Sequence, residues 1–254
     1  MKNLIHSSIS SHFISIASNL KIHYLECIPK KSNKDYPIAL LLHGFPELSF
    51  SWRKIIPQLS NAGFRVIAPD QRGYGKTLGG SKKFNADIHE YSLFNLTIDI
   101  VSFLHKLKIY KVDLLVGHDA GSIIAGTCAL IRPDIFKSVV MMSAPYTGIP
   151  KINVKKLIDP IHDNLKNLKK PRKHYQWYYS TKKANQDMHL KNKKKLHKFL
   201  RCYFHTKSAD WEQNSPHKLK SWTAKELAKL PEYYVMKLED TMVDSVIKFF
   251  PKNQ

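Results

Sequence analysis

From residue 12 to residue 143 short, nearly continuous apolar runs alternate with longer segments of helical period. Phe13, Ile14 and Ile16 lead into a turn at Ser18-Asn19, and Ile22, Tyr24 and Leu25 lead out of it, which predicts a β-hairpin over 12–28. The runs 37–43, 64–69, 111–117 and 137–143 are apolar nearly throughout, the pattern of strands covered on both faces. Between them, helices are expected at about 51–62, 92–108 and 120–132. Leu93, Leu96, Ile100 and Leu104 form the apolar stripe of the second, and Ile123, Ile124, Thr127, Ala129 and Leu130 that of the third, which stops before Pro133. Strands joined through helices make an α/β fold with a mostly parallel sheet, right-handed crossovers and helices on both faces. After Pro145 the pattern changes. The remaining sequence reads as helical, aromatic and basic, as in 176–181 and 230–236, with no strand run of comparable quality.

The chemistry concentrates where these strands end. Val116-Gly117-His118-Asp119-Ala120-Gly121-Ser122 places Asp119 at a sharp strand-to-helix turn. Gly117 and Gly121 lack the Cβ atoms that would keep strand and helix apart. This is the arrangement of a nucleophile elbow with a carboxylate in place of the usual serine. Alone it is a weak signal, because glycines around an aspartate also mark ordinary turns. Two more loops accompany it: His43-Gly44-Phe45-Pro46-Glu47 after the first of the buried strands and Asp70-Gln71-Arg72-Gly73-Tyr74-Gly75 after the second. Loops at the carboxyl ends of parallel strands are where open α/β sheets bind ligands.

His-Gly-Phe-Pro, Asp-Gln-Arg-Gly-Tyr-Gly and Gly-His-Asp-x-Gly, in this order, resemble the α/β-hydrolase superfamily and closely its epoxide hydrolase branch. The resemblance implies an α/β-hydrolase core over 1–145 and a helical cap, the domain that this family inserts over its active site, over 146–254. It implies that Asp119 is the nucleophile and that the backbone N–H groups of Phe45 and Ala120 form an oxyanion hole. His43, Gly44, Pro46, Asp70, Arg72, Gly73, Gly117 and Gly121 are then structural motif positions, and the peptide before Pro46 is expected to be cis.

An aspartate is ionised at neutral pH and needs no base to attack a saturated carbon. The product is an alkyl–enzyme ester, which water cleaves in a second step that requires a general base and an oxyanion hole. An epoxide leaves as an alkoxide and needs a proton donor. Trp177-Tyr178-Tyr179-Ser180 resembles the family's cap motif, which makes Tyr179 the candidate acid and Tyr178 the near alternative; packing within the cap is the competing role for both. A haloalkane dehalogenase would share the aspartate but commonly places a tryptophan where this chain has Ala120. A haloacid dehalogenase would need an arginine cluster that the sequence does not offer. His118 and His43 are expected to be structural. His162-Asp163 and Asp187/His189 are expected at the surface, without metal-ligand context, and neither metal nor organic cofactor is implied.

The resemblance also places an acid and a catalytic histidine on two further strands beyond the cap, and these are not evident. His205 and His217 fall in the cap-like stretch, as do Asp240 and Asp244. The expectation is therefore a chain that ends within the cap and lacks the C-terminal part of the core, either a truncated product or a divergent chain without turnover. Val139, Val140, Met141 and Met142 would then form an unpaired apolar edge.

Composition modifies this picture little. The chain has 254 residues and a formal net charge of +21, with 24 basic against 10 acidic side chains in 151–254 and 17 against 10 in 1–150. Only Arg53, Arg65, Arg72, Arg132, Arg172 and Arg201 are arginines; lysine supplies the rest. Phosphate recognition favours the planar fork of arginine, so no nucleic-acid partner is expected, and a basic binding module or inactive scaffold is the non-enzymatic alternative. The lysine run at 191–198 is expected on a solvated loop or helix face. Three cysteines without a C-x-x-C pair, no secretory signal and no membrane-length apolar run point to a soluble cytoplasmic protein; a small-molecule electrophile as its substrate is what the resemblance implies.

Overall fold

The computed structural model describes residues 5–17, 19–30, 35–148 and 160–249. The chain divides into two compact units, Met1–Lys151 and Ile152–Gln254.

In the first unit the described residues form one six-stranded sheet. Its strands are β1 (Ser10–Ser15), β2 (Lys21–Cys27), β3 (Ile38–Leu42), β4 (Arg65–Pro69), β5 (Leu114–His118) and β6 (Val139–Met142), in the order β1-β2-β4-β3-β5-β6. β1 pairs with β2, and β2 with β4, antiparallel; the β3–β4, β3–β5 and β5–β6 pairings are parallel. The helices are α1 (Ile56–Asn61), α2 (Leu93–Lys106) and α3 (Ala120–Ile131), with 3₁₀ turns at Ser49–Lys54 and Ile88–Tyr91. The helix expected at 51–62 is thus split between a 3₁₀ turn and α1.

Both faces of the sheet are covered, which explains its continuous apolar strands. Side chains alternate across a strand. Leu40, Leu42, Ile67 and Leu115 pack with Ile100, Phe103 and Leu104 of α2 and Ile124, Ala125 and Cys128 of α3. Ala39, Leu41, Val66, Ala68 and Val116 face the other way, toward Trp52 and Ile56. α2 is stopped at its N-terminus by Ser92, whose hydroxyl accepts the Asn95 N–H at 3.3 Å. β6 ends the sheet, and Val139, Val140, Met141 and Met142 are all 36–44% exposed, the apolar edge expected from the sequence. Of the predicted hairpin turn, Ser18 lies outside the described residues; Asn19 takes φ 55°.

The second unit is mainly helical: α4 (Ile161–Lys166), α5 (Tyr175–Tyr179), α6 (Lys182–Met188), α7 (Lys193–His205), α8 (Ala224–Leu227) and α9 (Met242–Ile247). It also holds two three-residue strands, β7 (Arg172–His174) and β8 (Val235–Lys237), paired antiparallel; 172–174 is too short and too basic to read as a strand in sequence. Its core joins Tyr178, Phe199, Cys202, Tyr203, Tyr233, Met236, Met242 and Val246. The lysine run opens α7 on an exposed face, capped by Asn192, whose Oδ1 accepts the N–H groups of Lys194 and Lys195. Asp244 forms a capping box with Thr241 at the start of α9. No helix among the described residues is long and apolar enough to cross a membrane.

Candidate active site

Asp119 lies between β5 and α3 with φ 52° and ψ −120°, a backbone conformation that costs a non-glycine residue of order 1–3 kcal/mol. The surrounding structure enforces it. The Asp119 N–H donates to Met142 O at 3.0 Å and its C=O accepts from Ser122 N–H at 3.0 Å. A Cβ on Gly121 would fall 2.4 Å from Leu42 O and 2.5 Å from His43 O, so strand β3 and helix α3 close on each other only because residue 121 has none. The elbow read from the sequence is present, with a half-buried carboxylate at its apex.

The His43–Glu47 loop approaches from β3. The Phe45 N–H donates to Asp119 Oδ1 at 2.9 Å, and the Phe45–Pro46 peptide is cis. Gly44 is pressed against the elbow: a Cβ there would lie 2.4 Å from Asp119 Cβ and 2.6 Å from His118 O. Ala120 opens α3, so its N–H is among the first-turn donors that have no intrahelical acceptor. The structure thus brings Asp119, Phe45 and Ala120 to one place.

His43 is fully enclosed. Its Nδ1 bonds Gly44 O at 2.9 Å and its Nε2 accepts the Gln71 N–H at 3.1 Å. Burial holds its pKa below the usual histidine value, against the Gly44 hydrogen bond and the nearby carboxylates. It is a neutral strut between two loops. Asp70 is a second strut: its carboxylate accepts from Ser49 N–H (2.9 Å), Lys76 N–H (3.0 Å) and His23 Nδ1 (2.7 Å). Burial pushes this carboxyl up, but the hydrogen bonds from Lys76, Ser49 and His23 outweigh it and the net shift is downward. Arg72 forms a bidentate pair with Asp99 of α2 at 2.7 and 2.8 Å, both groups buried. At Gly73 the φ of 82° is one that glycine adopts without strain.

Two residues of this region are not legible in the sequence. Glu47 Oε2 bonds His118 Nδ1 at 2.7 Å, a part-buried pair that ties the Phe45 loop to the residue before the nucleophile. His118 is therefore a structural histidine, but one with a specific charged partner. Tyr74 stacks edge-on against His43 with centroids 4.9 Å apart. Its phenol is pushed up to about 12, first by burial and then by the charge of Asp119.

Tyr179 and Tyr178 belong to the second unit. Tyr178 OH donates to Asp187 Oδ2 at 3.0 Å and is buried. Tyr179 OH donates to Tyr203 OH at 3.3 Å, and burial pushes its phenol up to about 12. The expected surface position of His162 and Asp187 is corrected. The His162 ring lies 5.9 Å from that of Trp177 with a buried Nδ1, because α4 turns one face inward, and Asp187 is half-buried under Tyr178.

A family model described as the α/β-hydrolase fold matches residues 37–222, well over half of the chain. The chain belongs to the α/β-hydrolase fold family. Among curated members it is 34% identical over 160 residues to bifunctional epoxide hydrolase 2 of Sus scrofa, covering 62% of this chain and 27% of that protein. It is 46% identical over 110 residues to epoxide hydrolase 3 of Siraitia grosvenorii, covering 43% and 33%. The chain thus spans between 23% and 40% of the length of the curated relatives it matches. The solved epoxide hydrolase of an endophytic Streptomyces superposes with a TM-score of 0.68 over 98% of this chain and 63% of that one, at 23% identity, which shows the shared α/β-hydrolase fold.

Proposed function

We propose that this chain carries an epoxide hydrolase-type site in which Asp119 opens a small-molecule epoxide. The observation that carries this reading is the Asp119 elbow with one carboxylate oxygen already held by the Phe45 N–H. Oδ2 attacks the less hindered epoxide carbon, the C–O bond breaks and the ring oxygen leaves as an alkoxide. Oδ1 becomes the carbonyl oxygen of the resulting ester, where Phe45 and Ala120 N–H groups are the oxyanion donors for the hydrolytic step. The identity to enzymes named epoxide hydrolases supports the substrate class.

The unit Ile152–Gln254 is read as the cap, and Tyr179 as the acid that protonates the alkoxide. A phenol pushed up to about 12 keeps its proton at neutral pH, as such a donor must. Hydrolysis of the ester needs a base, but His43 is an enclosed strut, and His118, the last residue of β5 and adjacent to Asp119, is directed to the opposite face of the strand. The reading is therefore a chain that alkylates itself on Asp119 and stalls. A cytoplasmic location fits Cys27, Cys128 and Cys202, which are unpaired and buried.

Intact-mass measurement after incubation with styrene oxide tests both parts. One epoxide equivalent on Asp119, absent from Asp119→Asn, is expected. No adduct on the unsubstituted chain would overturn the nucleophile assignment, and sustained diol formation would overturn the stall.

A further inference from the structure

On the antiparallel edge of the sheet, remote in sequence from the elbow, three side chains stand in series. Ser11 Oγ lies 2.9 Å from His23 Nε2, and His23 Nδ1 lies 2.7 Å from Asp70 Oδ2. His23 and Asp70 are 4% and 2% exposed, whereas Ser11, on β1, is exposed. A nucleophile within hydrogen-bond reach of a base that a third group orients is the signature of an activated serine, and it is recognised by geometry rather than by sequence position.

The tautomer follows from the partners. An ionised carboxylate only accepts hydrogen bonds, so the proton on the side of Asp70 resides on His23 Nδ1. In the neutral ring Nε2 then keeps its lone pair toward Ser11 and accepts the hydroxyl proton. Asp70 is held ionised by its backbone donors, Ser49 and Lys76, against the opposing effect of burial. The strand segment that carries the ring is tied down as well: the backbone N–H of His23 donates to Thr77 Oγ1 at 3.0 Å.

We propose that Ser11, His23 and Asp70 form a second nucleophilic site, independent of Asp119, that takes short acyl groups from activated esters. Phe13 supplies an apolar flank. It shares the face of β1 with Ser11, is 48% exposed, pairs across the strands with His23 and packs its ring 5.1 Å from the imidazole. In the step, Ser11 Oγ bonds to the carbonyl carbon and its proton passes to His23 Nε2. The bond to the leaving alkoxide or phenoxide then breaks, and that group takes the proton from His23. Because the relay supplies the base, the acyl group must bring a good leaving group.

The test uses the full chain and an alkyl fluorophosphonate, which transfers its phosphonyl group to activated serines with loss of fluoride. Peptide mapping is expected to find the phosphonyl group on Ser11, formed about a hundredfold faster than on the exposed Ser51 or Ser221. The preference should persist in Asp119→Asn and vanish in urea, where the relay is dismantled. Ser11→Ala, an exposed substitution on an edge strand, should leave the remaining pattern unchanged. Equal rates at Ser11 and Ser51 in the folded chain, or a Ser11 preference that survives in urea, would overturn the proposal. So would a preference that survives His23→Asn in chain that remains folded by circular dichroism.

Discussion

The Phe45 N–H meets Asp119 Oδ1 at 2.9 Å across 74 positions of sequence. That bond exists because Gly44 lets two turns of backbone touch: the space of a Cβ at residue 44 is taken by Asp119 Cβ and His118 O. One of the two obstacles is backbone and cannot swing aside. Gly44→Ala is expected to cost about 1–3 kcal/mol, seen as a lower urea midpoint. It should also slow alkylation of Asp119 by a reactive epoxide, read by intact mass, because the Phe45 N–H is pushed off its acceptor.

Glu47→Gln separates positioning from folding. The Glu47–His118 pair is part-buried, so its loss should cost only about 1 kcal/mol. The loop it fastens carries the Phe45 N–H. The expected outcome is a nearly unchanged urea midpoint with a several-fold lower rate of Asp119 alkylation at saturating epoxide. An unchanged rate would show that His43, through its bonds to Gly44 and Gln71, holds the loop without help.

How far this site could be read in the sequence depends on which forces build it. The strands were legible because burial on both sheet faces leaves continuous apolar runs, and the elbow because close approach of β3, β5 and α3 demands glycine at 117 and 121. Even there the edges shifted. β5 starts at Leu114 rather than near 111, since the Asp113 carboxylate is occupied by the Ile38 N–H and Lys137. Glu47–His118 and Ser11–His23–Asp70 left no local trace. They join residues 71, 12 and 47 positions apart, and only the paired strands and loops bring them together. Tyr179 is favoured over Tyr178 by the cap-motif resemblance alone; in the structure Tyr178 OH is bonded to Asp187 and Tyr179 OH to Tyr203.

The Arg72–Asp99 pair anchors the second loop to α2. Arg72→Met would leave Asp99 buried without its bidentate partner, and removing one member of such a pair costs about 3–5 kcal/mol. The double variant Arg72→Met/Asp99→Leu should recover most of that loss. Thermal melts of the two variants check it. Equal destabilisation in both would mean that the arginine acts through packing of its stem rather than through charge.

His43 gives the acid limb of stability a specific origin. Its folded pKa lies below the usual value of 6.5 because the ring is enclosed. The unfolded chain therefore binds a proton at higher pH than the folded one. Stability from keeping this ring neutral is complete above about pH 6.5 and falls as pH drops from there through the folded pKa. NMR titration of the His43 ring should place its midpoint below pH 6.5, with the urea midpoint declining as pH falls through it. Protonation at or above pH 6.5 in the folded chain would contradict it.

The strain at Asp119 predicts an opposition between activity and stability. At φ 52° and ψ −120° glycine is unstrained, whereas alanine keeps the Cβ that makes the conformation costly. Asp119→Gly and Asp119→Ala both lose the carboxylate and the Phe45 hydrogen bond, so their difference isolates the backbone. Glycine gives up more conformational freedom on folding, which offsets part of its advantage. Asp119→Gly is nevertheless expected to be more stable than Asp119→Ala by about 1 kcal/mol, measured as the difference in urea midpoints at equal slope, while neither variant is alkylated. If alanine proved the more stable, the elbow would have to relax when the carboxylate is removed, and the positive φ would be a consequence of the Phe45–Asp119 bond rather than of the backbone around it.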